Sequence, residues 1–597
     1  MKLSRLYTNR SAVFAPVEFV SGLNVVFAEI RLPQNKKKDT HNLGKSTLGR
    51  LVDFGLLSGR DPKFFLFEHQ QLFDGFVFFL EVELLDGSYV TVRRSVNEPT
   101  KIAFKRHTNR LQEFSELPEP QWDHVDIPFE RAKELLDGIL DLRAMKPWDY
   151  RKGLGYLLRS QDDYRDVFQL RNGHKHIDWK PFLAHILGFD SSLVERLYRK
   201  ELELADKQSK VQAIRAELGG SVEDASKIEG LLLLKQKEAA KKRDLLDAFD
   251  FRAADRSANK TVVDELDVRI AALNAEKYSL GLARRKIVAS LEEDQVLFNP
   301  EEAQRLFAEV GVMFPDQLKK DYEQLIAFNR AITDERRQYL QEERAEIEAS
   351  LKRVTTELNE LGKRRSEMLA FLRDADVFLK YRQVSDELVS LRADITSLER
   401  QRGFLHRLQE MRAEIRQLTE EKAQLQVQIE ENVEKQDSDS ASQFSTIRLF
   451  FSEIIEDVID RKALLSVALN QNGHLEFRAE ILDEGGNATS ADQGHSYRKL
   501  LCVAFDMAVL RAHLEKPAPR FAYHDGVFEA LDDRKKINLL AVMREYADLG
   551  LQFIITLIDS ELPERADGEP AIFDGNEIVL RLHDEGPDGR LFKMNAW

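Results

Sequence analysis

The apolar positions of this 597-residue chain change their period twice. Over roughly the first 110 residues they come in short dense runs. Residues 21–28 (SGLNVVFA) read as a buried strand, and 48–57 as the start of an amphipathic helix. Two further runs, 76–85 and 88–96, flank Asp86-Gly87, a hairpin signal. From 128 to about 187 the pattern is helical and mixed.

The period then becomes seven. Leu197, Leu204, Val211 and Leu218 lead to Gly219-Gly220, and Leu266, Ile270, Leu273 and Leu280 resume the seam. Beyond Asn299-Pro300 and Pro315, Ile347, Leu351, Val354, Leu358 and Leu361 step by four and three. Val384, Leu388, Leu391, Ile395 and Leu398 do the same, and Met411, Ile415, Leu418, Leu425 and Ile429 extend the pattern. Charged residues fill most positions between, as in a coiled coil. The two blocks, 190–293 and 316–433, predict an antiparallel hairpin with its tip near 294–315, an ordinary helical bundle being the alternative. A straight arm of this length would reach about 150 Å. Breaks at Gly219-Gly220, near Phe249-Asp250-Phe251 and near Gly362 favour a shorter, bent or folded-back arm.

The polar stretch 433–442 reads as a linker. Strands at 464–469 and 474–481 around Asn472-Gly473 predict another hairpin. A helix at 496–514, a strand at 520–524, a helix at 533–548 and a strand at 552–556 follow, with a final strand pair in 575–595. The expected domains are 1–188, the helical arm 189–435, and 443–597.

Composition narrows the class. Charged residues are 32% of the chain, aromatics 9%, and the net charge is −15, which leaves no global nucleic-acid footprint. The single cysteine, Cys502, excludes a disulfide framework or a cysteine zinc site. The N-terminal residues carry no apolar signal core, and no run of about 18 apolar residues occurs. A cytoplasmic protein without a membrane partner is the expectation.

Candidate chemistry starts at His41-Asn42-Leu43-Gly44-Lys45-Ser46-Thr47, between the 21–28 strand and the following helix. Strand, loop and helix around Gly-Lys-Ser-Thr are the setting of a phosphate-binding loop. Loop N–H groups surround a phosphate, Lys45 reaches the terminal phosphates, and the Ser46 hydroxyl ligates Mg²⁺. Asn42, Gly44 and Thr47 complete the nucleotide contacts. The first glycine of the pattern falls on Asp39, after a long insertion (31–38) that holds Lys36-Lys37-Lys38, read as a solvated loop rather than a DNA contact. Hydrolysis needs a second, carboxylate-bearing strand. The run 520–525 (RFAYHD) supplies one, with Asp525 as metal ligand, and Asp532 follows at the spacing of a D-loop.

This layout, a phosphate-loop lobe, a coiled-coil hairpin and a carboxylate-strand lobe, resembles the SMC-like ABC-type ATPases, among them SMC and RecN. The stretches HNLGKSTL, GHSYRKLLCVAFD and HDGVFEALDDR look most like the coiled-coil ATPases of prokaryotic ABC three-component defence systems. The resemblance implies an α/β ABC-type P-loop ATPase head built from both lobes and interrupted by the antiparallel hairpin. ATP and Mg²⁺ would be the cofactors and heads would pair as a homodimer. The partners implied are a separate effector protein, such as a nuclease, a small accessory subunit, and double-stranded DNA. It makes Gln161 the Q-loop glutamine on Mg²⁺ and places Gly494, within 490–495, in the signature segment that acts on the partner head's ATP. Two departures stand out: Gly526 replaces the glutamate that usually follows Asp525, and Leu557 replaces the switch histidine. Glu529 is the candidate to orient water instead. No nuclease constellation occurs in the chain. The expectation is an ATPase, with Lys45, Asp525 and Glu529 as its catalytic residues, that binds ATP well and turns it over slowly as a switch on an effector in antiphage defence. A DNA-repair or chromosome-maintenance ATPase and a coiled-coil scaffold with a structural ATP site are the alternatives.

Overall fold

The computed structural model describes residues 1–32, 35, 43–169, 175–218, 224–248, 256–292, 316–369, 375–483, 485–489, 494–529, 531–563 and 573–595. They form two compact units, one of residues 1–204 with 418–597 and one of 205–417.

The first unit holds two large sheets. β1 (Lys2–Thr8) pairs with the short β2 (Val17–Glu18), while β3 (Leu23–Glu29), the run at 21–28, belongs to the other sheet. The hairpin around Asp86-Gly87 forms as β4 (Val77–Glu83) and β5 (Tyr89–Ser95), with Gly87 at φ +83° in the turn. It continues through β6 (Lys101–His107) and β7 (His124–Pro128), giving the antiparallel order β2-β1-β4-β5-β6-β7.

β3 is joined by β8 (Leu158–Arg159) and, after the separate hairpin of β9 (Ala463–Leu469) and β10 (Leu475–Ile481), by β11 (Phe521–His524), β12 (Gln552–Ile558) and β13 (Ile578–His583). Every pairing in the order β13-β3-β12-β11-β8 is parallel. Parallel sheets are covered on both faces, so their strands are apolar throughout. Val25, Val26, Phe553, Ile554, Ile555 and Leu557 are all fully buried. Because β3 is flanked by β12 and β13, the two ends of the chain build one sheet.

The helices of this unit are α1 (Lys45–Gly55), α2 (Phe65–Glu68), α3 (Phe129–Leu140), α4 (Tyr150–Leu157) and α5 (His176–Ile186) before the arm. α1 lies between the sheets: Gly49 abuts the Tyr523 ring of β11 and Gly55 abuts Leu80 of β4, so a Cβ at either would come within 3 Å of that side chain. Phe592 inserts among Phe14, Phe65, Phe73, Phe76 and Phe78, at ring-centroid distances of 5.0 to 6.3 Å. Edge-to-face packing of this kind adds to the area buried.

The chain passes to the second unit along α6 (Ser191–Leu218), which leads into α7 (Ala225–Asp247), α8 (Arg256–Glu292), α9 (Asp316–Leu369) and α10 (Ala375–Ser438). The expected tip at 294–315 and the breaks at Gly219-Gly220 and 249–251 lie outside the described residues. α9 runs unbroken through Gly362, an exposed helical glycine with open space about it, so no break occurs there. Ion pairs fix the directions. Lys235–Asp394 (2.7 Å) and Lys242–Glu387 make α7 antiparallel to α10, and Arg269–Glu357 (2.7 Å) with Asp267–Arg365 (2.7 Å) makes α8 antiparallel to α9. Ser385 Oγ donates to Asp267 (2.8 Å) and Arg400 donates to Ser279 (2.7 Å), so α8 runs beside α10 in the same direction. Leu246, Val263, Leu369, Tyr381 and Leu388, drawn from all four helices, share one core. The heptad blocks therefore pack as two antiparallel pairs side by side, a folded-back bundle, because α10 presents Leu388 to one cluster and Val389 to another.

α10 extends to Ser438, so the expected linker shrinks to 439–442, of which Ser442 caps α11 (Gln443–Ile459), accepting from the Ser445 N–H at 3.0 Å. α12 (His495–Ala512) and α13 (Asp533–Asp548) complete the first unit. The strand pair expected in 575–595 is corrected to the single strand β13, which pairs with β3; beyond it Pro587–Gly589 form a 3₁₀ turn, with Gly589 tight against the His583 carbonyl.

Candidate functional site

The loop that follows β3 leads to Gly44, at φ +102°, and then to the first turn of α1. Only glycine suits this point. A Cβ would strain the left-handed backbone and meet Leu591 Cβ at 2.6 Å. Among the described residues no side chain caps α1, and its first turn is free of acidic residues, a setting that suits an anion. Lys45, Ser46 and Thr47 stand in that turn, Ser46 exposed. Asn42 lies outside the described residues.

The carboxylate strand is set against this turn by Tyr523, whose hydroxyl donates to the Lys45 carbonyl at 2.9 Å. Two residues on, Asp525 leaves the end of β11 and is 2% exposed. Its N–H donates to the Arg159 carbonyl (3.0 Å), and its Oδ1 accepts from the Thr556 hydroxyl of β12 (2.6 Å). Thr556 Oγ1 in turn accepts from the Gly526 N–H at 2.9 Å. Oδ2 has no protein partner among the described residues. β8, neighbour of β11, hands the chain to a 3₁₀ turn, Gln161–Arg165, which begins with Gln161. Ser46, Gln161 and Asp525 thereby line one cavity of about 980 Å³.

Across the turn after Asp525, Gln161 Nε2 donates to Glu529 Oε1 at 2.8 Å, and Lys499 Nζ of α12 donates to Glu529 Oε2 at 3.2 Å and to the Gly526 carbonyl at 2.7 Å. Gly526 adopts φ +63°, and a Cβ on it would lie 2.7 Å from Gln161 Nε2. A glutamate there would be strained and would displace the glutamine. The chain instead brings a glutamate to Gln161 from three residues further on.

Glu561, in the turn after β12, accepts from the Ile558 N–H (2.8 Å). Burial pushes its carboxyl above the usual range, partly offset by that hydrogen bond and by Lys45, while Glu529 adds to the rise. Leu557, at the expected histidine position, is a buried core residue paired with Phe27. Asp532 is the N-cap of α13, accepting from the Lys535 N–H at 3.1 Å; the Lys535 side chain holds its carboxyl below the usual range. It and Gly494 are not among the residues lining the cavity, nor are Gly44, Lys45, Thr47 and Glu529, which border Ser46, Gln161 or Asp525 in sequence or by hydrogen bond. Gly494 is the exposed N-cap of α12 at an ordinary φ of −68°, and 490–493 lie outside the described residues.

Four residues outside the sequence motifs hold this arrangement: Thr556, Lys499, Arg159 and Asp506. A threonine in an apolar strand and a lysine in a helix carry no periodic signal. Each acquires its partner only through a neighbouring element.

The donor set fits a nucleotide with its metal. Oxygen ligands from Ser46, Gln161 and Asp525 suit the hard cation Mg²⁺. The glycine cradle at residue 44 and the uncapped α1 suit phosphate.

The family described as "Uncharacterised protein conserved in bacteria (DUF2326)" matches residues 454–596. No curated protein matches the chain. Among solved structures it is similar to the Smc head domain with a coiled coil and joint from Pyrococcus yayanosii, at 15% identity, 96% coverage of each chain and TM-score 0.33. It is also similar to the Smc head domain with an extended coiled coil bound to the C-terminal domain of ScpA from Pyrococcus furiosus, at 12% identity, 96% coverage of each chain and TM-score 0.30. No helix among the described residues is long and apolar enough to cross a membrane.

Proposed function

We propose that this chain binds MgATP between Lys45, Ser46, Gln161 and Asp525, hydrolyses it slowly, and uses the bound nucleotide as a switch. The observation that carries this reading is the convergence of Ser46, Gln161 and Asp525, from three distant parts of the chain, on one cavity. The uncapped N-terminus of α1 receives the phosphates, Lys45 neutralises their charge, and Asn42 and Thr47 flank them. Bound MgATP supplies a phosphoryl group open to attack by water. Asp525, buttressed by Thr556, presents one oxygen to the metal side. Glu529, held by Gln161, orients water and accepts its proton. Slow turnover follows from Gly526 and Leu557, which stand where the resemblance would place the glutamate after Asp525 and the switch histidine.

The partner reading rests on the resemblance to SMC-like ATPases. Gly494 and its neighbours complete the site of a second copy, Asp532 lies at the pair's interface, and a separate effector protein with a small accessory subunit reads the ATP-dependent pairing in genome-conflict defence. Calorimetric MgATP titration with sedimentation velocity tests both steps. The parent binds MgATP and Glu529→Gln accumulates as an ATP-dependent dimer, whereas Lys45→Ala and Asp525→Ala lose binding by on the order of 100-fold. A Lys45→Ala chain that binds and pairs like the parent sinks the reading.

A further inference from the structure

Lys499 is absent from the phosphate and metal contacts, yet its side chain is 1% exposed. A lysine is seldom so buried unless paired, because desolvating the ammonium is costly. Its neighbours on α12, Leu500 and Leu501, are core residues, so packing alone would be met by an apolar side chain. Nζ instead bridges the two ends of the 526–529 turn, the Gly526 carbonyl at 2.7 Å and Glu529 Oε2 at 3.2 Å, with the Tyr164 ring 5.3 Å away. Glu529 is 41% exposed, so Lys499 and Gln161, itself a cavity-lining residue, are what hold its carboxylate in place rather than in solvent.

We infer that Lys499 is a positioning residue for ATP hydrolysis, fixing the 526–529 turn and holding Glu529 facing Gln161. The inference rests on the reading of Glu529 as the water-orienting base, a role that needs the carboxylate held in one place and at one angle. The charges around Glu529 are Lys499 from α12, Glu561 from the turn after β12 and, acting on Glu561, Lys45 from α1. Lys499 also stands five residues beyond Gly494 on the same helix, so the segment proposed to meet a second copy and the group steering Glu529 share α12.

The test is steady-state MgATP hydrolysis by the full chain, with MgATP affinity measured in parallel. Lys499→Met is expected to lower kcat by on the order of tenfold while affinity stays within roughly twofold. Lys499→Gln keeps a donor for the Gly526 carbonyl without reaching Glu529 as the ammonium does, and lowers kcat at held affinity should the methionine variant fold poorly. Lys499→Arg restores most of kcat, and Lys499→Met adds little to the loss already caused by Glu529→Gln. The parent's kcat in both neutral variants, or full additivity with Glu529→Gln, overturns the role of Lys499. A parent that binds MgATP without turnover, or Glu529→Gln with the parent's kcat, overturns the hydrolysis reading instead.

Discussion

Arg159 and Asp506, 347 residues apart in sequence, form a buried bidentate pair of 2.6 and 2.9 Å between β8 and α12. The remaining guanidinium hydrogens go to the carbonyls of Asp163, Asp166 and Val167, so all five donors are used. Burial opposes the charge on Arg159, but Asp506 outweighs it and the pKa of the guanidinium rises. Those three carbonyls belong to the segment that begins at Gln161, and His524 Nε2 joins Asp506 at 3.1 Å. One arginine thus clamps the glutamine's turn to the helix that carries Lys499.

Breaking that clamp from one side leaves a buried charge without its partner. Asp506→Ala is expected to cost about 3–5 kcal/mol in urea unfolding, more than a surface aspartate by an order of magnitude. A cost under about 1 kcal/mol would mean that water or another group replaces the carboxylate.

Phe592 joins β-rich residues of the first hundred positions to the far end of the sequence. Truncating it empties the centre of an aromatic cluster that Phe14, Phe65 and Phe73 cannot refill without moving. Phe592→Ala is expected to lower stability by about 3–5 kcal/mol. Limited proteolysis offers a second readout, with cleavage gained in the N-terminal antiparallel sheet if the lobes loosen. Unchanged unfolding and proteolysis would show that the parallel sheet alone unites them.

The strands at 21–28, 520–524 and 552–556 and the helix at 48–57 were legible because each depends on a local pattern, an apolar run or a helical period. The folded-back arm was only half legible. Heptads specify that helices pair, but Leu388 and Val389 face different partners, and nothing in the spacing of α8 and α9 says that they return alongside α10. Thr556, Lys499 and the Arg159–Asp506 pair were invisible for a related reason: each is polar beside apolar neighbours, and its partner lies 27 to 347 residues away.

His513 gives stability a pH signature. It is buried at the end of α12, its ring nitrogen 2.9 Å from the Val509 carbonyl, with Lys516 and His185 as its basic neighbours. Burial lowers its pKa from 6.5 to about 4. The unfolded chain then binds a proton that the folded chain refuses, so this contribution is full above pH 6.5 and is lost as pH falls towards 4. Urea midpoints of the parent and His513→Gln, compared at pH 7 and pH 5, isolate it. The parent is expected to lose more stability over that interval, and equal losses would place the titration elsewhere.

The exchange of Gly526 and Glu529 can be tested by attempting to reverse it. A side chain at 526 must take φ +63° and would meet Gln161 Nε2 at 2.7 Å. Left-handed backbone costs a non-glycine residue about 1–2 kcal/mol before any contact is counted. Gly526→Glu with Glu529→Ala moves the carboxylate to the position that the SMC-like pattern uses, yet here it displaces the glutamine and leaves Lys499 facing an alanine. Turnover is therefore expected to stay as low as in Glu529→Ala alone, and Gly526→Ala by itself to reduce kcat by disturbing Gln161. Recovery of the parent's kcat in the double variant would show that Gly526 is a neutral departure and that the turn readily accepts a glutamate.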